Sequence, residues 1–128
     1  MAMLLSKACD IVAIACACHG CFAPNSVANL YQGEQQKNMD WAFLQALKTT
    51  NINDHQDVMI IYDIACQYII HFHDRVRHLL PADQKINAAI GLFHIHGHKD
   101  ECFFQYATSF IPGTAVVAGE IFGLSLIK

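Results

Sequence analysis

Val58–Met59–Ile60–Ile61–Tyr62–Asp63 is the stretch that decides the fold of this chain. Five consecutive apolar side chains without polar alternation describe a strand buried on both faces. A carboxylate closes it. At the end of a buried strand, Asp63 lies where open α/β sheets present their ligand sites. The same carboxylate would equally suit the cap of a following helix. Both readings stand at this point.

Working outward, Ile64 to Leu80 reads as a helix with Ile69, Phe72, Val76 and Leu79 or Leu80 on its inner stripe, stopped by Pro81. A strand over Ala89 to His96 follows, closed by Gly97. Asp100 is placed to cap a helix through Cys102, Phe103, Tyr106 and Phe110, ended by Pro112–Gly113. Val116 to Leu124 could begin another helix. On the N-terminal side, Ile11 to Cys18 is short, apolar and rich in small residues, which describes a buried strand. Gly20 and Pro24–Asn25–Ser26 read as breaks after it. The polar stretch Gln32 to Asn38 approaches a helix carrying Trp41, Leu44 and Leu47, with Asn38 or Asp40 as its cap. Asn51 to Gln56 is a polar connector. Strands alternating with helices define an α/β layer fold.

Composition narrows the classes. The 128 residues suffice for one domain. Apolar residues make up 54% and charged residues only 15%, so a core can form but charged surface is scarce. No run of about 18 apolar residues is present, which argues against a membrane helix. The formal net charge of −3, with scattered basic residues, argues against a free-standing nucleic-acid binder. Six cysteines, four of them within the first 21 residues, lack the dispersion of a secreted disulfide scaffold and point to reduced, intracellular thiols. Met1 to Ala17 faintly resembles a signal peptide, but Lys7 and Asp10 interrupt it and no basic segment precedes it.

Several side chains can carry chemistry. Glu120, after Ala118–Gly119, suits either a helix dipole or a metal site shared with Asp63. His94, His96 and His98 alternate and would share one side of an extended segment, with Cys102 four residues on. Those four residues form a conceivable zinc site. Cys16, Cys18, His19 and Cys21 look like half of another, although small buried cysteines in a strand account for them more simply. Phe93, Phe103, Phe104, Tyr106 and Phe110 read as core rather than as a base-stacking platform, since Lys99 alone interleaves with them.

Four ordered stretches together resemble a known family. They are His19–Gly20–Cys21–Phe22–Ala23–Pro24–Asn25, Gly33–Glu34–Gln35–Gln36–Lys37–Asn38–Met39–Asp40, Tyr62–Asp63–Ile64–Ala65–Cys66–Gln67–Tyr68, and the run from Gly91 to Glu120. Their order and spacing are similar to the catalytic domain of the Kyakuja–Dileera–Zisupton (KDZ) transposases of fungi. The resemblance implies an RNase H-like fold, a central sheet with flanking helices, and a DDE-type acidic triad holding Mg2+ or Mn2+. Asp63 matches the second acid and Glu120 the region of the last. It also implies DNA as substrate, cleaved and joined in the nucleus.

The departures carry equal weight. The first acid of the family lies on an early strand upstream of the position of Cys9, and no matching segment exists here. The cysteine-cluster zinc region of these transposases is missing as well. Where the family runs G-E-x-x-E-x-x-W, Gly123 replaces the second glutamate and Leu126 falls near the tryptophan. The resemblance therefore implies a partial catalytic domain over residues 1–121, lacking the first strands, and a divergent tail over 122–128. Such a fragment is expected to be inactive unless the missing transposase segments or another transposase chain complement it. The alternative is a small zinc-dependent interaction module.

Overall fold

The buried run Val58 to Tyr62 is the parallel core of a five-stranded sheet. A computed structural model describes residues 2–8, 11–30, 35–52, 55–112 and 114. Their strands are β1 (Ala2–Ala8), β2 (Ile11–Cys16), β3 (Phe22–Asn29), β4 (Val58–Ile61) and β5 (Ile86–Ala89), in the spatial order β3-β2-β1-β4-β5. The first three form an antiparallel meander, whereas β4 runs parallel to β1 and β5 parallel to β4. Five short or medium helices join them: α1 (Gln36–Thr49), α2 (Ala65–Tyr68), α3 (Phe72–Val76), α4 (Leu92–Ile95) and α5 (Asp100–Tyr106). The chain is mixed α/β, as the alternation of elements implies. Ala2–Ala8 stands at the centre of the five strands.

The unbroken apolar run of β4 has a simple cause. Val58, Ile60 and Tyr62 enter the main core with Met3, Val12, Ile14 and the helices. Met59 and Ile61 belong to a smaller cluster with Ala17 and Ala89. Successive side chains of a strand point to opposite faces, and both faces are covered here, so no polar position remains.

Pro24–Asn25–Ser26 does not end a strand; it bulges one. The β2–β3 register runs Ile11↔Asn29, Val12↔Ala28 and Ala13↔Val27, then shifts so that Ala15 faces Phe22. Asn25 takes a left-handed conformation, φ 56°, and Pro24 has no N–H to give. The bulge leaves Ile14 without a partner in the β2–β3 register, and the Ser26 hydroxyl takes that place. It accepts from the Ile14 N–H at 3.4 Å and lies 3.2 Å from the Ile14 carbonyl and 2.7 Å from that of Ala23. A buried backbone group is thus satisfied by a side chain. The hairpin before it closes through Gly20, φ 68°, whose N–H donates to the Cys16 carbonyl at 2.8 Å.

Helix α1 begins one turn earlier than a cap at Asn38 or Asp40 would allow, with Gln35 at its N-cap. Its buried residues are Met39, Asp40, Ala42, Phe43 and Ala46. Trp41 is exposed, while Leu44 and Leu47 lie at the margin. A strict spacing of three drifts around a helix of 3.6 residues per turn, which is why Trp41, Leu44 and Leu47 do not form the inner stripe.

Asp40 is buried because it has partners. Arg75 Nε donates to Oδ2 at 2.6 Å and Nη2 to Oδ1 at 3.1 Å, while the Tyr68 hydroxyl donates to Oδ1 at 2.7 Å. The guanidinium carbon also lies 5.2 Å from the Tyr68 ring centroid. These contacts explain why Ile64 to Leu80 is not one helix. The chain breaks after α2, Phe72 N–H turns to the Ile69 carbonyl at 3.2 Å, and the Tyr68 carbonyl receives Arg75 Nη2 at 3.4 Å. Phe72 and Val76 are buried as expected, but Leu79 is exposed in a 3-10 turn over Arg77–Leu79.

The strand expected over Ala89 to His96 lies earlier, at Ile86–Ala89. Gly91 begins a helical turn, its carbonyl accepting from the N–H groups of His94 and Ile95. Lys99, rather than Asp100, is the N-cap of α5, and α5 itself has no fully buried residue. Phe103 is accordingly half-buried and Phe93, Phe104 and Phe110 are exposed, so the aromatic set is only partly core. The helix expected from Val116 lies outside the described residues.

Removing one partner of a buried ion pair strands the other, at about 3–5 kcal/mol. Arg75 keeps some solvent contact, so Asp40→Ala should lower stability by the lower end of that range, about 3 kcal/mol. Urea unfolding measures it; a loss under about 0.5 kcal/mol would place the pair with weak surface bridges. Burial, followed by the Asp40 carboxylate, pushes the Tyr68 phenol far above its ordinary value of 10.0. The Asp40 hydrogen bonds likewise raise Arg75. A group raised on folding stabilises the fold at pH below its unfolded value and ceases to do so as pH climbs past it. Stability should therefore decline above about pH 10, and Tyr68→Phe should flatten that decline.

Candidate functional site

The carboxyl end of β4 sits between β1 and β5 in the parallel part of the sheet. Parallel strands expose ligand sites at that end. Tyr62 leaves the strand with its N–H on the Ala89 carbonyl at 3.0 Å and its ring buried. Asp63 follows in the turn, its side chain 58% exposed. His94 on α4 brings Nε2 to 3.4 Å from Asp63 Oδ1. An imidazole beside a carboxylate can orient a ligand or relay a proton.

That pair alone does not fit a magnesium or manganese centre. Such hard cations take several oxygen ligands. Among the described residues Asp63 joins no group of three ligating side chains. Strand β1, the neighbour of β4, reads Ala-Met-Leu-Leu-Ser-Lys-Ala and carries no carboxylate. Glu120 lies outside the described residues. Asp40 is not a substitute acid, since both its oxygens are engaged by Arg75 and Tyr68.

A second constellation begins one helical turn past Asp63. Cys66 on α2 places its Sγ 3.5 Å from Nδ1 of His98. Cys102 on α5 completes the group, and the three ligand atoms lie within 4.8 Å of one another. All three residues are half-buried, and together they could bind a metal such as zinc. Burial, then the neighbouring Cys102, pushes the Cys66 thiol up, and burial with the two sulfurs does the same to the Tyr106 phenol.

Of the four residues that the sequence groups for zinc, only His98 and Cys102 meet. His94 turns to Asp63, and the His96 ring lies 5.9 Å from that of Phe103. Their alternation would have aligned them on a strand, but this segment is helical turn and loop. Cys66 was missed as a ligand because its partner is 32 residues away. The available signal was the i, i+4 spacing of His98 and Cys102 beside a cysteine that closely follows Asp63.

Cys16, Cys18 and Cys21 sit in the hairpin between β2 and β3. Cys18 and Cys21 are exposed and Cys16 is half-buried at the strand end, so they are not buried strand cysteines. Each of the five described cysteines is a free thiol. Cys16 Sγ lies 3.4 Å from His19 Nδ1. Burial raises its thiol, but the His19 hydrogen bond and the backbone of Cys18 and His19 outweigh this and lower it. A groove of about 330 Å³ between α1 and the 79–84 segment includes none of these residues in its lining.

Thiolate is the reactive form of cysteine, so Cys16 should alkylate faster than Cys66 at neutral pH, by about threefold or more. His19→Ala should slow Cys16 and leave Cys66 unchanged. Peptide mapping after timed iodoacetamide treatment reads both rates, and equal rates at Cys16 with and without His19 would remove the role assigned to that hydrogen bond.

No helix among the described residues is long and apolar enough to cross a membrane. No curated protein and no solved structure matches the chain. A protein family described as Kyakuja-Dileera-Zisupton transposase matches it over residues 5–122. With most of its length matched, from within β1 to beyond α5, the chain belongs to the KDZ transposase family.

Proposed function

We propose that this chain is part of a KDZ transposase catalytic domain that does not cleave DNA by itself. One observation carries this: Asp63 stands at the carboxyl end of β4 with His94 at 3.4 Å, beside a β1 strand without a carboxylate. An antiparallel meander continued by two parallel strands supports an RNase H-like core. On that core Asp63 is the second acid of a DDE triad and Glu120 the last. In the intact family these acids hold Mg2+ or Mn2+, which stabilises the attacking and leaving oxygens of phosphodiester cleavage and strand transfer.

The residues of this chain would supply two of the three carboxylates, Asp63 and Glu120, with a histidine beside Asp63 and the sheet that carries it. The remaining acid and the phosphate contacts would come from other transposase segments or a second transposase chain. A net charge of −3 favours that division, because DNA affinity depends on Lys and Arg that neutralise phosphates. DNA is the partner and the nucleus the place of action on this reading.

A supercoiled plasmid incubated with the full chain and Mg2+ or Mn2+ should remain unnicked beyond the buffer control. Adding a chain that supplies the upstream acidic strand should restore metal-dependent nicking, and Asp63→Ala should remove it. Nicking by the chain alone that vanishes in Asp63→Ala would overturn the proposed inactivity; restored nicking that survives Asp63→Ala would overturn the role of Asp63.

A further inference from the structure

Cys66, His98 and Cys102 come from three separate segments: helix α2, the loop between α4 and α5, and the first turn of α5. Three soft or borderline donors on different segments, facing one another and half-buried, are the donor set that zinc prefers. The spacing can be tested. Around a tetrahedral zinc, with Zn–S about 2.3 Å and Zn–N about 2.0–2.1 Å, a sulfur and a nitrogen stand about 3.5 Å apart. Cys66 Sγ and His98 Nδ1 stand 3.5 Å apart. The whole group fits within 4.8 Å, so closing on the ion needs side-chain shifts of only about 1 Å.

We infer that Cys66 Sγ, Cys102 Sγ and His98 Nδ1 form a zinc site whose fourth position is taken by water. The group has three members among the described residues, and its partial exposure leaves solvent within reach. A Cys2His set with one open position is a recognised zinc arrangement. Binding releases one proton from each thiol to solvent; His98 ligates as a neutral imidazole and keeps its proton on Nε2. No electron is transferred.

The site has a mechanical consequence. It staples the segment that follows Asp63 to the segment that follows His94. Neither α2, four residues long, nor α5, seven residues long, has a side-chain cap at its N-terminus. Helices this short gain little from propensity and depend on tertiary ties. Zinc would supply one across 36 residues of chain, from Cys66 to Cys102. The site does not depend on Asp63 being catalytic, so loss of the transposase reading leaves it intact.

The test is metal content and cobalt spectroscopy on the full chain, purified under reducing conditions. About one equivalent of zinc per chain is expected. Replacement by Co2+ should give the near-ultraviolet thiolate-to-cobalt charge-transfer band and the intense visible bands of a tetrahedral centre. Cys66→Ser and His98→Ala should each lower zinc occupancy at least threefold, whereas His98→Cys should retain it. A Cys18→Ser/Cys21→Ser double variant should also retain it, which separates this group from the hairpin thiols. If a variant does not fold, the cobalt spectrum of the unmutated chain decides by its thiolate band. Zinc well under one equivalent, zinc lost from the hairpin variant but kept in Cys66→Ser, or a Cys66–Cys102 disulfide with no metal bound after its reduction would each overturn the site.

Discussion

Among the described residues, the carboxylate of Asp40 is the one charged group taken almost entirely out of water, and the helical layer is organised around it. Helix α1 packs on the antiparallel half of the sheet, mainly β3 and β2, while α2 lies against β5 in the parallel half. Asp40 belongs to the first and Tyr68 to the second, with Arg75 reaching Asp40 from α3. A buried charge without partners is prohibitive, so the two halves must close together for Asp40 to be tolerated at all. Such a requirement specifies one arrangement more strongly than it adds net stability.

From Asp40 the constraint passes toward the site through rings. The Tyr68 hydroxyl is held by Asp40, and its ring meets Tyr62 edge-on at 5.6 Å and Phe72 at 5.4 Å. Tyr62 is the residue before Asp63. Cys66 lies two residues before Tyr68 on the same short helix. Both candidate sites therefore hang from a four-residue helix whose position is set by a hydrogen bond to α1 and by aromatic packing. Fixing Tyr68 fixes the direction in which Cys66 faces α5.

The strands at the centre of this fold were legible where both faces are covered. The stretches Ile11 to Cys18 and Val58 to Tyr62 read as buried strands because Val12 to Ala15 and Val58 to Ile61 are buried without a break, although Ile11 itself is exposed. What could not be read were the features decided by distant partners. Asp40 resembles a helix cap until Arg75, 35 residues away, is seen to hold it. The same arginine takes over the Tyr68 carbonyl, so the break within Ile64 to Leu80 leaves no local mark. His94, His96 and His98 imitate the alternation of a strand, yet Gly91 starts a helical turn ahead of them and sends each to a different neighbour. The place of Asp63 at the end of β4 was legible from the apolar run before it; its partnership with His94 was not. Half of the thiol–imidazole group was legible, His98 and Cys102, since they are near in sequence.

The two sites differ in what they ask of the chain. A magnesium or manganese centre needs several hard oxygen donors, and the described residues bring one carboxylate to the end of β4. A zinc centre accepts two thiolates and an imidazole, with water completing the shell, and those three side chains already face one another. A hard-cation centre at Asp63 would thus need groups beyond the described site, whereas the softer site draws only on Cys66, His98 and Cys102. Because zinc would tie the strand-β4 turn to α5, its binding would also hold Asp63 and His94 in register. The staple draws on Cys66, His98 and Cys102 alone, so a scaffold can keep it whether or not it carries an acidic triad, and it would add to the ties that Tyr62 and Tyr68 already give the turn holding Asp63.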